Sequence, residues 1–161
     1  MSTIAIEQGA AGASTRRRVP LIRVLVLCDQ YLTSEAIRVA LRHRPFELLG
    51  VGQPQRAVQP RQAARIVEDL QPQVGLLVQE MTDPSRSRDA QKILQHVESI
   101  PWLVLTGSPE GPAWGGFLAA GARAVLPMTI GLNQLADALV KVSNGVEVMA
   151  QYRRDDVVAQ W

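Results

Sequence analysis

Cysteine is nearly absent: Cys28 is the only one in the chain. That excludes an intrachain disulfide framework and, with no signal-peptide pattern, points to a reducing cytoplasm. Lysine is scarce as well. Lys92 and Lys141 are the only two, arginine supplies the rest of the positive charge, and the net charge is +2. A balance so near neutrality builds no dense basic face, despite a sequence pI near 9.1. No apolar run approaches the roughly 20 residues that a membrane-spanning helix needs. The short motifs of common chemistry are missing too. No G-x-G-x-x-G follows the first predicted strand, and there is no phosphate-binding P-loop, nucleophile elbow or cluster of metal ligands. These absences lead us to expect a protein that is not an enzyme and has no cofactor, no resident metal and no membrane partner.

What is present fits one domain with tails. The chain has 161 residues, 47% of them apolar and 20% charged, enough to bury a sizeable core. Residues 1–20 are rich in Ala, Gly and Ser and show no apolar period, so they read as a disordered leader. Their Arg16-Arg17-Arg18 cluster lacks interleaved aromatics and reads as a solvated tail rather than a nucleic-acid contact.

The chain is organised around residues 72–78, Pro-Gln-Val-Gly-Leu-Leu-Val, an apolar run without alternation. Such a run reads as a strand buried on both faces, at the centre of a parallel sheet. Residues 21–27 predict a first strand, ending at Cys28-Asp29. Thr33 or Ser34 would cap a helix that buries Ile37, Ala40 and Leu41. Residues 46–51 predict a second strand. After a linker with Pro54, a second helix starts at Pro60 and carries Ala63, Ile66, Val67 and Leu70 on one face. A polar loop over 79–88 leads to a third helix over about 88–99, which Pro101 separates from a fourth strand over 102–106. Pro112 suits the first turn of a fourth helix with Trp114, Phe117 and Leu118 inward, ended by Gly121. Residues 124–126 give a fifth strand. A fifth helix follows with Leu132, Leu135, Ala136, Leu139 and Val140 on one stripe, before Gly145. Five βα units in strict alternation predict an α/β fold, a doubly wound parallel sheet.

The segments IRVLVLCDQ, QPQVGLLVQEM, WLVLTGS, AAGARAVLPM and LNQLADALVKVSNGVEVM, in this order and spacing, resemble the receiver domain of two-component response regulators. The LuxR/NarL type, in which a helix-turn-helix follows the receiver, is the most similar subgroup. The resemblance covers about residues 21–149 and implies a flavodoxin-like (βα)5 fold with strand order 2-1-3-4-5. It also implies that 150–161 begin a linker helix, with DNA reached only through a C-terminal domain outside this chain.

Receivers transfer a phosphoryl group to an aspartate ending the third strand, with Mg²⁺ held by an acidic pair after the first. A Thr/Ser on the fourth strand and a Lys on the fifth meet the phosphoryl charge. Here the acidic pair falls on Cys28 and Asp29, the phosphoacceptor on Val78, the hydroxyl on Thr106, the lysine on Met128 and the switch aromatic on Val125. Only Asp29 and Thr106 keep the family's chemistry. A register slip of two would bring Glu80 to the site, but Pro72 before the strand and Met81 after it argue against that.

The other candidates have plainer readings. Cys28 reads as a buried thiol, because no neighbouring cation in sequence would activate it. Asp29 reads as an acceptor for loop amides rather than a metal ligand. His43 and His96 read as solvated helix-surface residues, and Trp102 and Trp114 as core. The expected function is a phosphorylation-independent receiver: a regulatory module for protein interaction and dimerisation, in transcription control. A homodimer would use the first and fifth helices or the fourth and fifth, with Trp114, Leu118, Leu132 and Leu139 as interface candidates. The alternative is a domain or enzyme that takes a small ligand in the crevice formed by Asp29, Thr106 and the 107–111 turn. At the C-terminal end Val157, Val158 and Trp161 form a partial apolar face, expected to have nothing in this chain to pack on.

Overall fold

The apolar stretch 72–78 does lie at the middle of the sheet. In the computed structural model, which describes residues 19–50, 58–79 and 83–161, every residue of strand β3 (Val74–Gln79) is buried. Around it stand β1 (Ile22–Cys28), β2 (Phe46–Leu49), β4 (Trp102–Thr106) and β5 (Ala124–Pro127). The helices are α1 (Tyr31–Leu41), α2 (Pro60–Leu70), α3 (Pro84–His96), α4 (Pro112–Ala119), α5 (Leu132–Ser143) and α6 (Gln151–Ala159). All the strand pairs are parallel and the order is β2-β1-β3-β4-β5. Helices α2, α3 and α4 pack in series on one face of the sheet, and α1 packs beside α5. Residues 1–18 of the expected leader, Val51 and Pro54 of the second strand and linker, and Glu80 and Met81 lie outside the described residues.

A glycine at the centre of β3 has a specific packing reason. Gly75 is paired with Trp102 of β4, and a Cβ placed on it would sit 2.2 Å from the indole ring. That ring is 1% exposed, and its Nε1 donates a 2.8 Å hydrogen bond to the Val97 carbonyl. The indole therefore lies flat across the backbone of the neighbouring strand, in space that a side chain at position 75 would need.

Among the departures from the sequence expectation are two helix starts and the packing of the chain's end. Helix α1 starts at Tyr31 rather than after Thr33 or Ser34, with Gln30 at its N-cap and no side-chain cap. Ser34 is inside the helix, buried, with its hydroxyl donating to the Tyr31 carbonyl at 2.9 Å. Helix α3 starts four residues before Arg88 and ends at His96. Asp83 caps it by accepting the Ser85 amide at 2.9 Å, and Pro84 occupies the first turn, where its missing N–H costs nothing. The Ser85 amide and hydroxyl hold the Asp83 carboxyl below the usual aspartate range. Its capping contribution is thus complete above the ordinary aspartate pKa and is lost as pH falls through the lowered value. Asp83→Ala is expected to speed amide exchange over residues 85–88 at neutral pH and leave the strands unchanged, as hydrogen–deuterium exchange would read.

The third difference is the end of the chain. The face expected to lack a partner meets α4 in part: Val157 packs on it and Trp161 lies beside it while 62% exposed, and Val158 is 37% exposed. Val157 is buried, and its carbonyl oxygen lies 2.4 Å from where a Cβ on Gly115 would be. Arg153 Nε donates to Glu110 at 3.2 Å, and Arg154 donates to the carbonyls of Ala122 and Arg123. The sulfur of Met149 lies 3.5 Å from the Val125 amide of β5. Residues 149–161 therefore run along the β5 side of the sheet and cover α4.

Candidate functional site

The strand register decides which residues share the carboxyl end of the sheet. Cys28 pairs with Val78, Val78 with Leu105, Gln79 with Thr106, and Thr106 with Pro127. Cys28, Val78, Thr106 and Met128 are thereby gathered where open parallel sheets place their chemistry. Val78 is 4% exposed and Val125 is fully buried. The half-buried thiol of Cys28 donates to the Gln30 carbonyl at 3.3 Å. Thr106 is buried, its Oγ1 accepts the Ser108 amide at 3.1 Å, and its carbonyl accepts the Met128 amide at 2.9 Å. The Asp29 carboxylate is engaged by the Arg86 guanidinium of α3.

Two residues that sequence reasoning passed over complete the site. Arg86 neutralises Asp29 from 57 residues away, a distance in sequence at which no local pattern signals pairing. Gln79 ends β3 buried, with Nε2 donating to Ser87 Oγ at 2.9 Å and Oε1 buried without a partner. Exchanging the amide O and N would only move the unpaired atom to nitrogen, so one hydrogen-bonding position is left over in either assignment. A signal for Gln79 did exist, in a polar residue closing an otherwise apolar buried run. A cavity of about 60 Å³ opens here, lined in part by Leu27, Cys28, Asp29, Val78, Gln79 and Arg86.

No protein-family model matches the chain, and no curated protein matches its sequence. Solved structures do match it. A signal receiver domain from Mycobacterium tuberculosis, assigned to the response regulator NarL, superposes with a TM-score of 0.62 at 21% identity, covering 79% of this chain and 99% of the other. A DNA-binding response regulator of the LuxR family from Staphylococcus aureus gives 0.60 at 18% identity, over 77% of this chain and 100% of the other. The receiver domain of a sensor histidine kinase from Pseudomonas aeruginosa, with magnesium in its active-site cleft, gives 0.59 at 15% identity, over 77% and 98%. The fold is the receiver fold.

The positions onto which the receiver resemblance maps the phosphoryl chemistry carry the following side chains. A receiver needs a carboxylate at the end of β3, and Val78 supplies a buried isopropyl group there. It needs a cation after β5, and Met128 is a half-buried thioether. Mg²⁺ prefers an octahedral set of oxygens. The residues present do not fit it: Asp29 is the one carboxylate of the pair, it is already bound to Arg86, and Cys28 contributes a thiol. Among the described residues, no group of three or more His, Cys, Asp or Glu side chains could hold a metal ion. His43 and His96 are both exposed, as expected.

The interface candidates need correcting. Trp114, Leu118 and Leu139 are buried inside the chain, at 4%, 5% and 0% exposure, so they cannot reach across to a second copy. Trp114 points inward because its Nε1 donates to the Ser108 carbonyl at 2.9 Å, and α6 covers its helix. Leu132, expected on the buried stripe of α5, is 39% exposed and is the one candidate of the four at the surface. Among the described residues the most exposed large apolar side chain is Leu32 of α1, at 81%; Val39 of the same helix is 52% exposed, and Val19, Leu21, Val146 and Trp161 are exposed elsewhere.

Proposed function

We propose that this chain is a pseudo-receiver: a regulatory module with the receiver fold that works without phosphorylation, through protein contacts and self-association. The observation that carries the reading is Val78, a buried apolar side chain paired with Cys28 at the position where the family places its phosphoacceptor. The Asp29–Arg86 pair supports it, because the guanidinium supplies within the chain the positive charge that a metal would bring to a lone carboxylate. The nature of the matching proteins suggests transcription control, exerted through a DNA-binding domain outside these residues. The ligand-binding alternative gains no support. The 60 Å³ cavity is far below the roughly 300 Å³ of the smaller ligand pockets. Thr106, which that alternative placed in the crevice, is buried with its hydroxyl oxygen accepting a loop amide.

What is left uncovered supports self-association. The α4 and β5 side is occupied by residues 149–161, which favours the side built from α1 and α5. There Leu32 and Val39, seven residues apart, form two turns of exposed apolar stripe, and a symmetric pair of such stripes is the commonest way to bury one. Light scattering at high micromolar concentration should give a dimer mass that acetyl phosphate with Mg²⁺ does not change. Leu32→Glu with Val39→Glu should give a folded monomer. A monomer in the unmodified protein would contradict the dimer, and a mass that depends on acetyl phosphate would contradict phosphorylation independence.

A further inference from the structure

Helix α4 is a poor helix held in place by another. It has eight residues, Pro-Ala-Trp-Gly-Gly-Phe-Leu-Ala, with Gly115 and Gly116 at its middle. Each interior glycine costs about 1 kcal/mol relative to alanine, and a helix this short is marginal by itself. At Gly115 the space is needed by α6, and at Gly116 by Gln91 of α3 and by Trp161, which follows α6. A Cβ on Gly115 would meet the Val157 carbonyl oxygen at 2.4 Å and Trp161 Cβ at 2.8 Å. On Gly116 it would meet Gln91 Nε2 at 2.5 Å and the Trp161 ring at 2.9 Å. The residues that weaken α4 are those that let α6 and Trp161 approach it.

Helix α6 also grips both ends of α4. Ahead of α4, Arg153 holds Glu110 and keeps its carboxyl below the usual glutamate range. Behind α4, Arg154 donates to the carbonyls of Ala122 and Arg123. Helix α6 has nine residues and no side-chain N-cap, and it buries Val157 against α4. Between α5 and Met149, residues 144–147 are exposed, and Gly145 takes a φ of +73° with nothing near it that a Cβ would touch. The Gly145 and Val146 amides donate to the Val142 and Lys141 carbonyls, so α5 is closed by its own cap before α6 begins and keeps that cap when α6 leaves.

We infer that α4 and α6 form one cooperative unit that opens below the global unfolding free energy, so that release of α6 disorders α4 while the sheet stays closed. The inference goes beyond the proposed function and does not depend on it. Its consequence reaches the site through short links: the Trp114 indole of α4 holds the Ser108 carbonyl, and the Ser108 amide holds Thr106. An event at the C-terminal helix would therefore be felt in the β4–α4 loop, in the direction opposite to a signal that starts from a phosphoryl group.

Native-state hydrogen exchange on the full chain tests this. In low denaturant, peptides covering 112–119 and 151–159 should converge on one opening free energy, lower than that of 22–28 and 74–79. Val157→Asp, which places a charge at the docking face, should raise exchange in 151–159 and 112–119 together by at least about tenfold, with 22–28 and 74–79 held within about twofold. If that variant does not fold, Arg154→Ala removes the grip behind α4 without touching the core and should move both helices in the same sense. Wild-type protection of 112–119 with α6 exchanging freely would overturn the inference. So would equal loss of protection in the strands, which would make the opening global.

Discussion

Val78→Asp, which places a carboxylate where the receiver resemblance implies a phosphoacceptor, should destabilise the protein by about 3 kcal/mol at neutral pH, as expected for a buried charge without a partner. The site is 4% exposed, its strand neighbours are Cys28 and Leu105, and the adjacent guanidinium of Arg86 is committed to Asp29. Burial would raise the pKa of the new carboxyl above the unfolded value of about 3.9. The loss is then full above that raised pKa and fades as pH falls toward the unfolded one. Urea denaturation at neutral pH and near pH 4 measures both parts. A variant as stable as the parent at neutral pH would show that the pocket still accommodates a carboxylate, against the account given for Val78.

Gly75→Leu should be among the most damaging single changes in the sheet. The new Cβ would have to occupy space 2.2 to 2.6 Å from three atoms of the Trp102 ring. The ring cannot swing aside without losing its bond to the Val97 carbonyl and its burial. Overpacking of this kind costs about 3 kcal/mol, and more where backbone must move. Trp102→Ala alone should cost about 3 to 5 kcal/mol for the cavity. Because the two residues contend for one volume, the double variant should be more stable than the sum of the singles by about 1 kcal/mol or more. Additive effects in chemical denaturation would contradict the packing described.

The parts of the fold legible in the sequence are those set by one segment's own pattern. The unbroken apolar run at 74–78 announced a central strand, and the 3.6-residue stripes of α2 and α5 announced helices, because burial on one face or two leaves a periodic trace. The start of α3 was legible but missed: Asp83-Pro84 is a helix-start pair, and it was absorbed into a polar loop. What could not be read was contact between distant segments. Arg86 reaching Asp29 leaves no local trace, and neither does the packing of α6 and Trp161 on Gly115 and Gly116. Those glycines read only as weakness in α4 until the segments that need them are seen. Trp114 and Leu118 show the same limit, since an apolar stripe on a helix looks alike whether a core or a partner covers it.

The placement of the candidate residues was legible, since Val78 and Cys28 meet across the strand register and Thr106 ends β4. The electrostatics of the site were not, because they depend on Arg86. We expect this pocket to accept no phosphoryl group. Intact-mass spectrometry of the full chain after incubation with acetyl phosphate and Mg²⁺ tests it most directly. The mass should be unchanged. A stoichiometric phosphoryl adduct that hydroxylamine removes, marking an acyl phosphate on a carboxylate, would contradict it.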